Sequence, residues 1–196
     1  IVRDYGADTL RLYEMFMGPL EADKPWSTQG IEGAHRWLER VWRLFIEQKD
    51  KLSDDNNGNL DYSYNYTVKK VTDDIENLRL NTAISQMMIF INACYKESEL
   101  PKEYMDGFLK LLNPICPHIT EELNEQIGFK PICESEWPKY DETALVKDSI
   151  EIVIQINGKV KDKMDVPNNL SKDDLEKLVM NDEKAKTLIG GKDIVK

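Results

Sequence analysis

Three arginines, Arg36, Arg40 and Arg43, stand at spacings of four and three in "HRWLERVWR". On a helix these positions fall within ~60° of one another, so their guanidinium groups leave one face. Guanidinium holds phosphate oxygens through paired hydrogen bonds, which makes the row a candidate nucleic-acid contact. Glu32, Glu39 and Glu47 share that polar face at ion-pair spacing, and a solvated salt-bridge face is the other reading. A second basic row is Lys159, Lys161 and Lys163 in "NGKVKDKMDV". Alternate residues of a strand point one way, so this row would either neutralise phosphates or simply keep a strand face wet.

Nothing else in the chain sets up a reaction. "GGK" at 190–192 lacks both the spacing and the preceding strand of a phosphate-binding loop. His35 has no cysteine nearby, and neither it nor His118, two residues after Cys116, sits in a metal-ligand pattern. His118, between Pro117 and Ile119, reads as a packing residue at a helix start. Met87 and Met88 suit a core. Cys94, Cys116 and Cys133 are odd in number, far apart and without a C-x-x-C, so they are expected as buried, reduced thiols. No cofactor and no metal is expected in this chain.

The elements that must position the basic rows follow from periodicity. Asp8 can cap a helix from Thr9 to Met17, which Gly18-Pro19 ends. Leu12 and Phe16 form its inward stripe. A long amphipathic helix from Gly30 to about Lys51 carries the arginines, with Ile31, Ala34, Leu38, Val41 and Phe45 inward. "SDDNNGN" at 53–59 is a loop. Val68, Val71, Ile75 and Leu78 mark a third helix. Asn81 can cap a fourth with Ile84, Met88, Ile91 and Tyr95 inward. Pro101 opens a fifth with Tyr104, Phe108, Leu111 and Leu112, and a sixth runs from about His118 to Ile127, closed by Gly128. The fold class is mainly α, a bundle of five or six helices.

After about residue 149 the pattern changes. Ile150, Ile152, Ile154 and Ile156 alternate, then Val160, Met164 and Val166 follow, with Asn157-Gly158 between. A three-residue loop over 156–158 with Gly158 left-handed pairs Ile154 with Val160 and Ile150 with Met164, and lines up the three lysines on the other face. Ser171 and Asp174 resemble a capping box opening a helix to about Met180. A short helix after Asp182 stops at Gly190-Gly191, and "DIVK" reads as the start of a strand. The expectation is a small β-β-α-α unit whose last strand is cut off.

Charge marks the same boundary. The 196 residues carry a formal net charge of −10. Residues 151–196 hold nine lysines, no arginine and nine acids, whereas 1–150 hold 17 basic against 27 acidic residues, so all the excess acidity lies in the first part. The net charge argues against indiscriminate nucleic-acid binding. No run approaches the ~18 apolar residues of a membrane span, and no signal-peptide pattern is present, so neither membrane nor DNA is an expected partner.

Several stretches resemble bacterial leucyl-tRNA synthetase, a class I aminoacyl-tRNA synthetase. "IVRDYGADTLRLYEMFMGPLEADKPWS" resembles the segment after that family's KMSKS loop, and "LRLNTAISQMMIFINACYK" its helical bundle. "PHITEEL" and "EWPKYDE" resemble the end of the bundle, and "IEIVIQINGKVKDKMDVP" the hairpin of its small C-terminal domain. Asn124 departs from the family's Trp after "EEL", and Lys161-Asp162-Lys163 from an Arg-Ala-Lys pattern. The family also continues past Val195 with one more apolar strand.

The resemblance implies a connecting helix and loop over 1–29, an anticodon-binding-type helical bundle over 30–137, a linker over 138–149 and a truncated tRNA-binding α/β domain over 150–196. It implies tRNA(Leu) and the missing catalytic domain as partners, in the cytoplasm. The HIGH and KMSKS motifs lie upstream, so ATP and magnesium would belong to the parent's catalytic domain, and this chain alone would not activate leucine. A rival reading is an acidic protein-interaction module with a small α/β appendage. Overall acidity favours it and the lysine alignment opposes it.

Overall fold

A computed structural model describes residues 1–146, 149–156, 159–167, 172–182, 184, 186 and 187. Two units are found, Ile1–Leu145 and Val146–Lys196.

The first unit begins with a single turn, α1 (Val2–Tyr5), that breaks at Gly6 with φ 85° before α2 (Ala7–Phe16). Gly6 rather than Asp8 stands at the start of α2, because Asp8 is spent elsewhere. Leu12 and Tyr13 are buried on this helix. Phe16 is not: it is 38% exposed and lines an open groove with Met17, Pro19 and Trp37. Its angle on the helix is the expected one, but it falls in the last turn.

The arginine-bearing helix, α3 (Thr28–Ile46), starts earlier than Gly30 because Ser27 supplies the cap, its Oγ accepting from the Gly30 N–H at 3.2 Å. It ends at Ile46, before a short 3₁₀ turn over Lys49–Lys51. Ile31, Ala34, Trp37, Leu38, Val41, Leu44 and Phe45 are its buried face. Gly30 is where α2 and α3 close up, since a Cβ there would lie 2.6 Å from the Tyr13 ring.

A two-rung parallel bridge joins β1 (Leu52–Ser53) to β2 (Leu100–Pro101), too short for any alternation to announce it. Between them lie α4 (Asp61–Glu76) and α5 (Leu80–Cys94). Leu78, expected inward, instead sits in the turn between them with φ 56° and 64% exposed. Asn81 falls inside α5, whose preceding residue is Arg79. Then come α6 (Lys102–Leu112) and α7 (Pro117–Ile127), the latter closed by Gly128 in the left-handed region. Phe45, Phe90 and Phe108 meet at the centre, with ring centroids 6.2 and 5.7 Å apart along the row. Cys94 and Cys116 are buried, and burial pushes the Cys94 thiol up to about 12. Cys133 is exposed, contrary to expectation.

In the second unit, β3 (Ser149–Ile156) and β4 (Lys159–Pro167) form an antiparallel hairpin, followed by α8 (Lys172–Asn181). Its register corrects the expected one. Ile156 pairs with Lys159 and Gln155 with Val160, then a bulge omits Lys161 and Ile154 pairs with Asp162. The bulge has a purpose. Without it, Ile154 would oppose Lys161 and every later pair would mix faces. With it, Ile152 meets Met164 and Ile150 meets Val166, so the apolar pairs are restored. Asn157-Gly158, the Ser171 cap, Gly190-Gly191 and the "DIVK" strand start lie outside the described residues.

Leu12, fully buried, and Phe16, half-exposed, should separate in a urea titration. Leu12→Ala is expected to cost about 2–5 kcal/mol, and Phe16→Ala about 1 kcal/mol or less, since much of its ring is already in water. Equal losses would place Phe16 in the core after all.

Candidate functional site

Helix α2 is pinned to the far end of the bundle by two charged side chains one turn apart. Asp8 is buried, its Oδ2 accepting from the Ile119 N–H at 2.7 Å and its Oδ1 lying 2.8 Å from His118 Nδ1. It therefore caps α7 rather than its own helix, placing negative charge where α7 presents free N–H groups. Arg11 donates to the carbonyls of Ile115 (2.7 Å) and Pro114 (2.8 Å), on the turn that leaves α6. His118 is accordingly an exposed residue bonded to Asp8, its side chain 75% accessible, and not the packing residue expected. Beside this joint a groove of about 730 Å³ opens, lined by Tyr5, Thr9, His35, Trp42, Arg43 and His118 among others. Asn124, the position that departs from the family pattern, is buried and donates to the Lys130 carbonyl at 2.8 Å, bracing the chain beyond Gly128.

The three arginines share a helix face but not a task. Arg36 is exposed, with Glu32 4.0 Å away. Arg40 is half-buried, its guanidinium 4.3 Å from the centroid of Tyr95, whose hydroxyl donates to the Arg40 carbonyl at 2.8 Å. Arg43 is exposed and reaches the Glu39 carbonyl at 3.4 Å. Arg40 thus serves the fold, while Arg36 and Arg43 remain at the surface.

The lysine row is broken by the bulge. Lys159 pairs with Ile156 and Lys163 with Val153, residues of opposite parity on β3, and Lys161 is the bulged residue between. Lys161 and Lys163 are exposed, with Val153 and Val160 also outward at 44% and 58% exposure. The outward face is therefore a mixture of valine and lysine rather than the three-lysine row.

Sequence reasoning missed a third surface, on the outside of α4. Tyr62 and Tyr66 stack there, with centroids 5.7 Å apart and planes 9° apart. Lys69 lies over the Tyr140 ring at 5.5 Å, and Trp137 Nε1 donates to Thr72 Oγ1 at 2.8 Å. The tyrosines and Lys69 recur at four and three residues, a spacing that was there to be found.

The end of α4 is organised by Asp74, whose side chain is buried. It accepts from Lys70, from Arg79 Nε at 2.8 Å and from Thr82 Oγ1 at 2.7 Å. Burial works to raise this carboxyl, but the bonds from Lys70, Thr82 and Arg79 outweigh it and hold it below its ordinary 3.8. The Arg79 N–H also donates to the Asp74 carbonyl at 2.7 Å, and the tight turn leaves Leu78 in its left-handed conformation. Among the described residues, no three His, Cys, Asp or Glu side chains gather to hold a metal, and no helix is long and apolar enough to cross a membrane.

The family model described as the anticodon-binding domain of tRNA ligase matches residues 59–177. Among solved structures, the crystal structure of the ternary complex of Agrobacterium radiobacter K84 agnB2 LeuRS-tRNA-LeuAMS superposes on all of this chain with a TM-score of 0.73 and 27% sequence identity. The match occupies 28% of that longer chain.

The Asp74 geometry fixes a pH dependence. A carboxyl held below 3.8 when folded stabilises fully above its unfolded value and loses that contribution as pH falls through the lower folded value. Asp74→Ala should cost about 1.5–3 kcal/mol at neutral pH, the range for losing hydrogen bonds to a charged group, since Lys70 loses this partner while Arg79 keeps Asp73. The gap between variant and wild type in urea titrations should begin to narrow below about pH 4 and narrow further as pH falls through the lower folded value. A gap that stays constant down to pH 2 would mean that the ionised carboxylate is not what holds the turn.

Proposed function

The chain belongs to the anticodon-binding domain family of tRNA ligases, and on that premise we propose that it is the tRNA-holding C-terminal part of a leucyl-tRNA synthetase. The observation that carries this reading is the whole-chain match: helical unit and hairpin unit both align, in order, within one leucyl enzyme that was crystallised with tRNA. The partner on this reading is tRNA(Leu), and the working compartment is the cytoplasm. The parent enzyme carries out ATP-dependent leucylation and editing, with ATP and magnesium held in its catalytic domain. This chain contributes positioning, holding the tRNA body so that its acceptor end reaches chemistry performed elsewhere.

The residues that would touch phosphate are those the fold leaves outward. Arg36 and Arg43 on α3 are exposed, as are Lys161 and Lys163 on β4. Phosphate contact by any of these is electrostatic and sequence-independent, so it grips and orients the RNA without reading it. Arg40, occupied with Tyr95, would act by holding α3 against α5. Lys159 carries the same charge in a different register, opposite Ile156.

The test is retardation of labelled tRNA(Leu) by the full chain across a salt series. Binding should weaken with salt at a log–log slope of roughly 0.7 to 0.9 per phosphate contacted. Changing Lys159, Lys161 and Lys163 together to Gln should weaken binding and lower the slope, without moving the melting temperature by more than a few degrees. The chain alone should support no leucine-dependent ATP–pyrophosphate exchange. Absence of tRNA retardation even at low salt would overturn the reading. An unchanged slope in the lysine variant would move the contact to Arg36 and Arg43.

A further inference from the structure

We propose that the outer face of α4 and the segment 137–141 form a stacking platform for unpaired nucleobases of an RNA strand, an inference that rests on the tRNA-holding reading for the class of its ligand. Tyr62, Tyr66 and Lys69 recur along one stripe of α4. The segment 137–141 runs back along the same helix. Trp137 Nε1 bonds Thr72 Oγ1 at 2.8 Å, Tyr140 sits under Lys69 at 5.5 Å, and the Asp141 N–H donates to Asn65 Oδ1 at 2.7 Å. These tethers hold the platform by its edges while leaving the rings accessible: Tyr66, Trp137 and Tyr140 are 38%, 37% and 36% exposed. Partly exposed rings gathered into one contiguous patch, and fixed there by hydrogen bonds, have the character of an interaction surface rather than of scattered exposed residues.

Charge decides what kind of ligand fits. Lys69 makes no salt bridge with any described residue; its ammonium lies over the Tyr140 ring. The carboxylates nearby are engaged: Asp73 with Arg79 at 2.6 Å, Glu136 with Lys139 at 3.6 Å, and Asp141 with the Thr143 N–H and hydroxyl at 2.8 and 2.7 Å. Glu76 lies about two turns beyond Lys69 and Glu142 just past Asp141. The centre of the platform is thus a cation among aromatic faces. A flat, anionic, stacking ligand matches that, whereas an apolar protein helix would have to bury the Lys69 ammonium. Bases inside a duplex have no free faces, so the ligand is unpaired RNA. The platform lies wholly inside the stretch matched by the anticodon-binding family model.

The experiment measures affinity of the full chain for three probes: tRNA(Leu), a short unpaired oligoribonucleotide, and an RNA duplex of equal length. The variants are Tyr66→Leu with Tyr140→Leu, Trp137→Leu, and Lys69→Gln, each checked by its melting curve. Losing a stacking ring should weaken oligonucleotide binding about fivefold or more, leave duplex binding within twofold, and leave the salt slope nearly unchanged, because rings carry no charge. Lys69→Gln is the milder variant and should lower the slope by about one contact. Folded ring variants that bind the oligonucleotide as wild type does would overturn the platform, as would an equal loss on the duplex or a wild-type chain that binds no unpaired RNA. Failure of wild type on tRNA alone, with the oligonucleotide still bound through the rings, would overturn the tRNA-holding reading and leave the platform standing.

Discussion

Asp8 finds its hydrogen-bond partners 110 and 111 residues along the chain, on the first turn of α7. That contact closes the bundle. Helix α2 has ten residues and would be marginal alone, and Cys116, the residue before α7, provides no side-chain cap. Each supplies what the other lacks: α2 gains a docking point, and α7 gains an acceptor for one of its free N–H groups. Arg11, one turn on, satisfies carbonyls on the opposite side of the same junction. Acid at a helix start and base at a helix end are the two favourable arrangements of the dipole, and a single turn of α2 delivers both. The buried Leu12 and Tyr13, the close approach at Gly30 and the seating of α3 all presuppose that α2 is held in this place.

Periodicity made the helices legible in the sequence because each buries a stripe, and a stripe is a local pattern. The buried face of α3 reads directly off residues 31–45, and the same is true of α6 and of the stop at Gly128. What could not be read were the places where a distant partner overrides local preference. Asp8 looks like a cap for the helix that contains it, and only the fold reveals that it caps another. Leu78 fits the apolar rhythm of α4, but the bonds gathered by Asp74 turn the chain one residue early and place Leu78 in solvent. His118 lies between apolar neighbours in sequence and beside a carboxylate in space.

The hairpin itself was legible, but its register was not, for a different reason. Strand patterns have a period of two, so one extra residue reverses every assignment downstream. Two solutions keep the isoleucines together: a three-residue loop, or a two-residue connection followed by a bulge. Both satisfy the hydrophobic pattern. They differ in the partner given to each lysine, which is the feature that mattered for the candidate site. The loop solution puts Lys159, Lys161 and Lys163 in a row, while the observed bulge at Lys161 divides them. A basic row on a strand is therefore a weaker inference than one on a helix, where an inserted residue rotates the pattern by about 100° instead of inverting it.

Net charge, finally, is a poor guide to where this acidic chain could meet a polyanion. Screening at physiological salt reduces exposed charges to an effective range of about 8 Å, so an approaching phosphate responds to the few groups beside it and little to the sum of −10. Which charges are already spent then matters more than how many there are. On α3, Arg40 is turned onto Tyr95 and adds little outside the fold. Along α4, Asp73 and Asp74 are both bonded to Arg79, so the end of an acid-rich helix presents less negative charge than its sequence suggests. Lys69 on the same helix is balanced by no carboxylate among the described residues, and its contact is an aromatic face. Pairing inside the fold thus redistributes an acidic composition into local surfaces of either sign, and it is the pairing, visible only in three dimensions, that sets what each surface can bind.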